Sequence, residues 1–205
     1  MTPERRSAPQ RREPLMAESA TGELQVGIIV GSIREGRKGS NVGRWVADIA
    51  ADRDDAQYVL LELADYELPL LTDATVPGGA NRQYDSEART RWGRDIDLCD
   101  AFVFVTAEYN HGVPGAFKNA YDSIGPEWAN KAVGFVSYGS VSGSRAVEQW
   151  RQIVATFGMI DVAPQVAMST FTEFDKNGEF APNDRHVKEL DSLLDEVVSR
   201  ASKLG

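Results

Sequence analysis

An apolar run at residues 26–30, VGIIV, passes directly into the polar loop GSIREGRKGS at 31–40. Apolar residues then recur at helical spacing, at Val42, Trp45, Val46, Ile49 and Ala50. This change of period predicts strand, loop, helix, with Ser40 or Asn41 at the N-cap position. Such a loop sets backbone N–H groups, two hydroxyls and the permanently charged Arg34 at the positive end of a helix dipole, which suits a phosphate dianion. The spacing is that of neither familiar nucleotide loop. Lys38 comes one place late after Gly31 and Gly36 and is followed by glycine instead of a hydroxyl residue, and the glycines at 27, 31, 36 and 39 do not form G-x-G-x-x-G. The plain alternative is an ordinary strand-to-helix connection with solvated arginines.

The same alternation runs on along the chain. Strands are predicted at 58–63 (YVLLEL), 101–105 (AFVFV), 132–137 (AVGFVS) and within 162–168, where Pro164 implies a late start or an edge position. Between them Ala88, Trp92, Ile96 and Cys99 form one helical stripe, a helix starts near Gly115 after Pro114, another carries Val147, Trp150, Val154 and Phe157, and a last one carries Val187, Leu190, Leu194, Val197 and Ala201. Residues 72–82, with Pro77-Gly78-Gly79, read as a flexible surface loop. The run at 101–105 is apolar at every position, as in a parallel strand covered on both faces. Five strands alternating with helices predict an α/β fold: a flavodoxin-like three-layer sandwich with right-handed crossovers and strand order 2-1-3-4-5. In such a sheet a ligand sits beyond the carboxyl ends of the strands, where the winding reverses. The polar loops after the first, third and fourth strands would meet there, at 31–40, 106–114 (TAEYNHGVP) and 138–144.

Composition narrows the partners. A formal charge of -9 argues against a general nucleic-acid binder, and no run approaches the roughly 18–20 apolar residues of a membrane span. The single Cys99 allows no intrachain disulfide and fits a cytoplasmic address; beside an apolar strand it reads as packing. Residues 1–22, rich in Pro, Arg, Ser and Glu, read as a disordered N-terminal extension ahead of one domain at 23–205, with Met16 as an alternative start. The arginine pairs at 5–6 and 11–12 have no apolar segment after them and are not read as an export signal. No metal site is expected.

In the second loop Tyr109 offers an aromatic wall and Asn110 an amide; the competing reading makes Tyr109 a lid on the core and Asn110 the closure of a turn. A phosphate cradle opposite an aromatic and amide wall fits a phosphorylated, flat heteroaromatic ligand.

Four segments together resemble a known family: GSIREGRKGSNV at 31–42, Leu68-Pro69-Leu70, EYNHGVPGAFKNAYD at 108–122 and SYGSVSGSRA at 137–146. They are similar to the NAD(P)H-dependent FMN reductases of the flavodoxin-like class, which includes quinone, azo and chromate reductases; the likeness spans about residues 24–200. The resemblance implies FMN as cofactor, NADPH or NADH as co-substrate, a small-molecule electron acceptor and a homodimer or homotetramer. It implies that Ser32, Arg34, Ser40, Asn41 and Val42 hold the phosphate, that Ala107, Glu108, Tyr109 and Asn110 lie against the isoalloxazine, and that Ser137 and Gly139 close the other flank. Glu108 is expected to act through its backbone. No side chain is assigned a catalytic role, because the cofactor carries the chemistry. His111 reads as a loop or interface contact, His186 as a helix-start residue outside the site, and Trp128 and the helix after Pro114 as a subunit contact. The chain departs from the family pattern at Ala107, where proline is usual, and at Ser142-Gly143, where Gly-Gly is common. Two other readings remain at this stage: a flavodoxin-like electron carrier with no nicotinamide site, and a flavin-free regulatory homologue.

Overall fold

The apolar runs pair as five parallel strands in the order β2-β1-β3-β4-β5. In the computed structural model, which describes residues 23–177 and 179–204, these are β1 (Gln25–Val30), β2 (Gln57–Glu62), β3 (Ala101–Ala107), β4 (Ala132–Gly139) and β5 (Ile160–Ser169), separated by α1 (Gly39–Ala50), α2 (Glu87–Asp97), α3 (Gly115–Asp122) and α4 (Ser144–Val154) and followed by α5 (Asp184–Leu204). The expected disordered extension at 1–22 lies outside the described residues. β1, β3 and β4 are buried at every position, as a central parallel strand with helices on both faces must be. Pro164 falls where the β4–β5 register slips, between Val133 and Phe135 of β4; lacking an N–H, it cannot hold a ladder position, and β5 is an edge strand.

Alternation along β3 separates two cores. Ala101, Val103, Val105 and Ala107 face α1 and α5, joining Val42, Val46, Leu190, Leu194 and Val197, while Phe102 and Phe104 face α2, α3 and α4 with Trp92, Phe117, Tyr121 and Trp150. The second core is an aromatic cluster. Trp128 has no solvent exposure, stacks on Tyr121 at 5.0 Å between centroids, meets Phe102 at 5.1 Å, and donates its indole N–H to Tyr121 O at 3.0 Å. This corrects the expectation of a subunit contact: the indole is used up inside its own chain. Cys99 is buried, as its surroundings imply, and burial pushes its thiol up to about 12.

Two further details differ from the sequence reading. α1 begins two or three residues earlier than an N-cap at Ser40 or Asn41 allows; Lys38 is the capping position, and Ser40 Oγ is taken by Glu62 instead. Between β2 and α2 the chain is pinned by Arg89, which is buried, pairs with Asp73 and donates to Leu70 O at 3.0 Å, while Asn119 holds Leu71 N at 2.9 Å and Pro69 O at 3.0 Å.

His186, in the first turn of α5, is fully buried, and its Nδ1 accepts from Asn183 N at 3.2 Å. Burial, then the adjacent Arg185, lowers its pKa below the ordinary 6.5, while Glu173 and Glu189 oppose the shift. The unfolded chain therefore binds the proton first, so this contribution to stability is complete above pH about 6.5 and is lost as pH falls below it. Urea midpoints between pH 7 and 5 should fall less steeply for His186→Gln than for the parent; equal slopes would remove His186 from the acid response.

Candidate functional site

Three loops meet beyond the carboxyl ends of β1, β3 and β4, at the point where the connections turn to opposite faces of the sheet. β1 is tied into this rim by Gly31 N, which donates to Val105 O at 3.0 Å, and the β3–β4 pairing is continued by Glu108 N on Tyr138 O at 3.1 Å. The approach of the first loop requires Gly31: a Cβ there would stand 1.9 Å from the Phe117 ring. At the third loop Gly143 has φ +73°, and its Cβ would lie 2.9 Å from Tyr138 N, so the turn that enters α4 admits no side chain.

The loops enclose a cavity of about 370 Å³ lined by Ser32, Arg34, Gly36, Arg37, Lys38, Ala107, Glu108, Tyr109, Tyr138, Gly139, Ser140 and Thr170. Its volume is in the range of ligand pockets, about 300–1,000 Å³. One end is cationic. Arg34 stands 5.7 Å from the Tyr109 ring centroid, Lys38 Nζ lies 4.2 Å from the Phe174 ring, and Arg37 is held by Glu62 at 2.9 Å. Ser32 Oγ and Tyr109 OH share a hydrogen bond of 2.6 Å. The amides of residues 32–36 have no protein acceptor among the described residues, and Arg37 N then closes a turn on Arg34 O at 3.3 Å. Burial, followed by the neighbouring Tyr109, raises the Tyr138 hydroxyl well above the usual phenol range, against a smaller lowering by Ser32. At neutral pH, where a phosphate ester is doubly charged, it is a protonated donor. The other end is built from Ala107, Glu108, Gly139 and Ser140, with the Glu108 carboxylate turned away to Arg145, whose Nη1 and backbone N it accepts at 2.9 and 3.2 Å.

This donor set fits a phosphorylated flavin: cations and hydroxyls gather at one end, and the opposite end is uncharged once Glu108 is paired. Of the residues the resemblance implied, Ser32, Arg34, Ala107, Glu108, Tyr109 and Gly139 line the cavity together. Ser40, Asn41, Val42, Asn110 and Ser137 are not brought to its wall. Ser40 is committed to Glu62, Asn41 Oδ1 accepts from Arg44 at 3.0 Å, Val42 is buried in the core with its amide on Lys38 O, and Ser137 Oγ donates to Ser142 O at 2.7 Å. Asn110 sits at φ 50° in the turn, near the β-bridge from Tyr109 to Gly112, which is the turn-closing reading. Tyr109 packs against the core on the α1 and α5 side and also turns its hydroxyl to Ser32 and its ring to Arg34. Gly36, Arg37, Lys38, Tyr138, Ser140 and Thr170 also line the cavity, outside the residues the resemblance implied. The positive charge of 37–38 was legible, but Thr170 arrives only through the β5 edge. His111 is exposed, and its backbone O accepts from Gln149 at 2.9 Å; His186 lies on α5, outside the lining. No cluster of metal-ligating side chains occurs among the described residues.

Residues 24–173 match the model of the NADPH-dependent FMN reductase family. An NAD(P)H-dependent FMN reductase, ntnL, from Nectria sp is 34% identical over 151 residues, covering 72% of this chain and 75% of the relative. A quinone reductase from Pseudomonas putida is 28% identical over 184 residues, covering 85% and 92%. Among solved structures, FerB from Paracoccus denitrificans, a flavoenzyme NAD(P)H:(acceptor) oxidoreductase, superposes with a TM-score of 0.69 over 89% of this chain and 99% of its own, at 20% identity. That likeness carries the fold.

Proposed function

The chain belongs to the NADPH-dependent FMN reductase family, and from that membership we propose that it binds FMN at the three-loop rim and moves electrons from NAD(P)H to a small acceptor, free flavin or a quinone. The observation that carries this is that Arg34, Arg37 and Lys38 line one cavity together with Ala107, Tyr109 and Gly139. Ser32, Arg34, Arg37 and Lys38 hold the phosphate, with the hydroxyls of Tyr109 and Tyr138 as further donors. Ala107, Glu108, Gly139 and Ser140 present main chain to the ring system. FMN, when bound, supplies the two-electron chemistry.

The residues hold and orient; none has to move a proton. Reduction of a quinone by NAD(P)H balances with one proton from solvent, which gives NAD(P)+ and hydroquinone. The Glu108–Arg145 ion pair keeps the carboxylate off the ring end, where an unpaired negative charge would oppose electron density arriving on the ring. Self-association is supported by Ile33 and Leu70, 51% and 76% exposed beside a cavity of about 270 Å³ that also takes Leu68 and Ala116. A cytoplasmic setting is supported by the lone, unbridged Cys99. No helix among the described residues is long and apolar enough to cross a membrane.

An absorbance spectrum and FMN titration of the purified protein test the binding, and steady NADPH consumption with menadione or excess FMN tests the turnover. Saturable FMN binding with acceptor-dependent NADPH loss is expected. FMN binding without NADPH consumption would favour a flavodoxin-like carrier, and no FMN binding would end the flavin reading.

A further inference from the structure

Arg34 and Arg37 both line the cavity, yet they are held in different ways. Arg34 is exposed, and its guanidinium has no hydrogen-bond acceptor among the described residues; its contact is the Tyr109 ring at 5.7 Å. Arg37 is clamped. Glu62, the last residue of β2, accepts on Oε2 from Arg37 Nη2 at 2.9 Å, Arg37 Nε at 3.2 Å and Ser40 Oγ at 3.1 Å. Both side chains of the pair are mostly buried, at 22% and 18% exposure. Arg37 Nη1, the far corner of the fork, is 3.5 Å from Arg34 O. Glu62 itself does not line the cavity, whereas Arg37 does, so the carboxylate stands behind the guanidinium and not in a ligand's place.

We propose that Glu62 is a positioning residue for the phosphate end of the site: by fixing Arg37 and Ser40 against β2 it presents a preordered guanidinium to the ligand, and so sets the preference for FMN over unphosphorylated riboflavin. This rests on the flavin reading above. A long arginine side chain loses rotamer freedom when a ligand immobilises it; for Arg37 the clamp has already taken that loss during folding, and the remaining N–H groups can meet an oxyanion without rearrangement. The charges agree. Three cations at the cavity with one carboxylate behind them leave two net positive charges, the complement of a phosphate monoester dianion.

The test is the ratio of riboflavin to FMN dissociation constants, read by flavin fluorescence quenching on the full chain without turnover. Glu62→Ala removes the acceptor and is expected to lower the ratio about tenfold, entirely through weaker FMN binding, the size of one charge-assisted hydrogen bond. Glu62→Gln keeps an acceptor oxygen and should stay within about threefold of the parent ratio. If Glu62 acts through Arg37, adding Glu62→Ala to Arg37→Ala should change the ratio no further. An unchanged or higher ratio in Glu62→Ala would overturn the proposal, because the carboxylate would then be a bystander or a competitor for the guanidinium. A parallel loss of both flavins would also overturn it, by reducing Glu62 to fold maintenance; should Glu62→Ala not fold, Glu62→Asp, whose shorter carboxylate cannot reach both Arg37 and Ser40, is expected to lower the ratio in the same direction, and an unchanged ratio there overturns the proposal. Parent protein that binds no FMN sinks the flavin reading itself, whereas FMN binding by the parent with no change of ratio sinks only the role of Glu62.

Discussion

Arg34→Ala is expected to weaken FMN binding by about ten- to a hundredfold, the worth of roughly 1.5–3 kcal/mol for a hydrogen bond to a charged group. The side chain is exposed and contributes one ring contact to its own chain, to Tyr109. Its removal therefore leaves the core untouched, and the melting temperature should stay close to the parent value, as for surface changes of within about 0.5 kcal/mol. The loop conformation survives too, because the turn is closed by the main-chain oxygen of Arg34, which Arg37 N meets at 3.3 Å. Loss of FMN affinity at constant melting temperature, with riboflavin affinity unchanged, identifies a phosphate contact. Unchanged FMN affinity would remove Arg34 from the cradle and leave Arg37 and Lys38 to carry it.

The second large effect is on stability. Trp128→Ala is expected to destabilise the fold by about 3–5 kcal/mol, the usual range for deleting a buried tryptophan, and to lower the urea midpoint accordingly. Trp128 packs on Tyr121 and against Phe102, Phe104 and Trp92, so the hole it leaves is walled by aromatic rings. Its indole N–H also holds Tyr121 O at the end of α3. The oligomeric state of any surviving folded protein should not change, since no part of Trp128 reaches the surface. A loss of oligomer with little loss of monomer stability would restore the interface role that the family resemblance implied.

That misplacement shows where sequence reasoning stops. A tryptophan in a short Gly-Pro segment between α3 and β4 carries no periodicity to say which way it points; only the gap between Phe102, Tyr121 and Trp92 decides it. The N-cap is a similar case. Ser40 has the right chemistry to cap α1, but its hydroxyl can satisfy only so many partners, and Glu62, distant in sequence, lies close enough to take it. Asn41 and Val42 follow from the same shift, because a helix that starts at Gly39 points their amides into its own first turn. Arg89 was invisible for the opposite reason: a buried arginine depends on finding Asp73 and Leu70 O across a loop, and no local pattern announces that.

The chain by itself determined the layers and the winding. Uninterrupted apolar runs at 26–30 and 101–105 can only be covered on both faces, helical stripes between them supply the covers, and right-handed crossovers leave few strand orders to choose from. It also determined which loops are polar and glycine-rich, hence where a ligand belongs. What the tertiary structure decided is which side chains of those loops face the cavity. Arg37 and Lys38 turn inward while Ser40 and Asn110 do not, and Tyr138 and Thr170 join from neighbouring strands, because hydrogen-bond partners are allotted among residues far apart in the chain, and that competition is settled only when the strand ends are brought side by side.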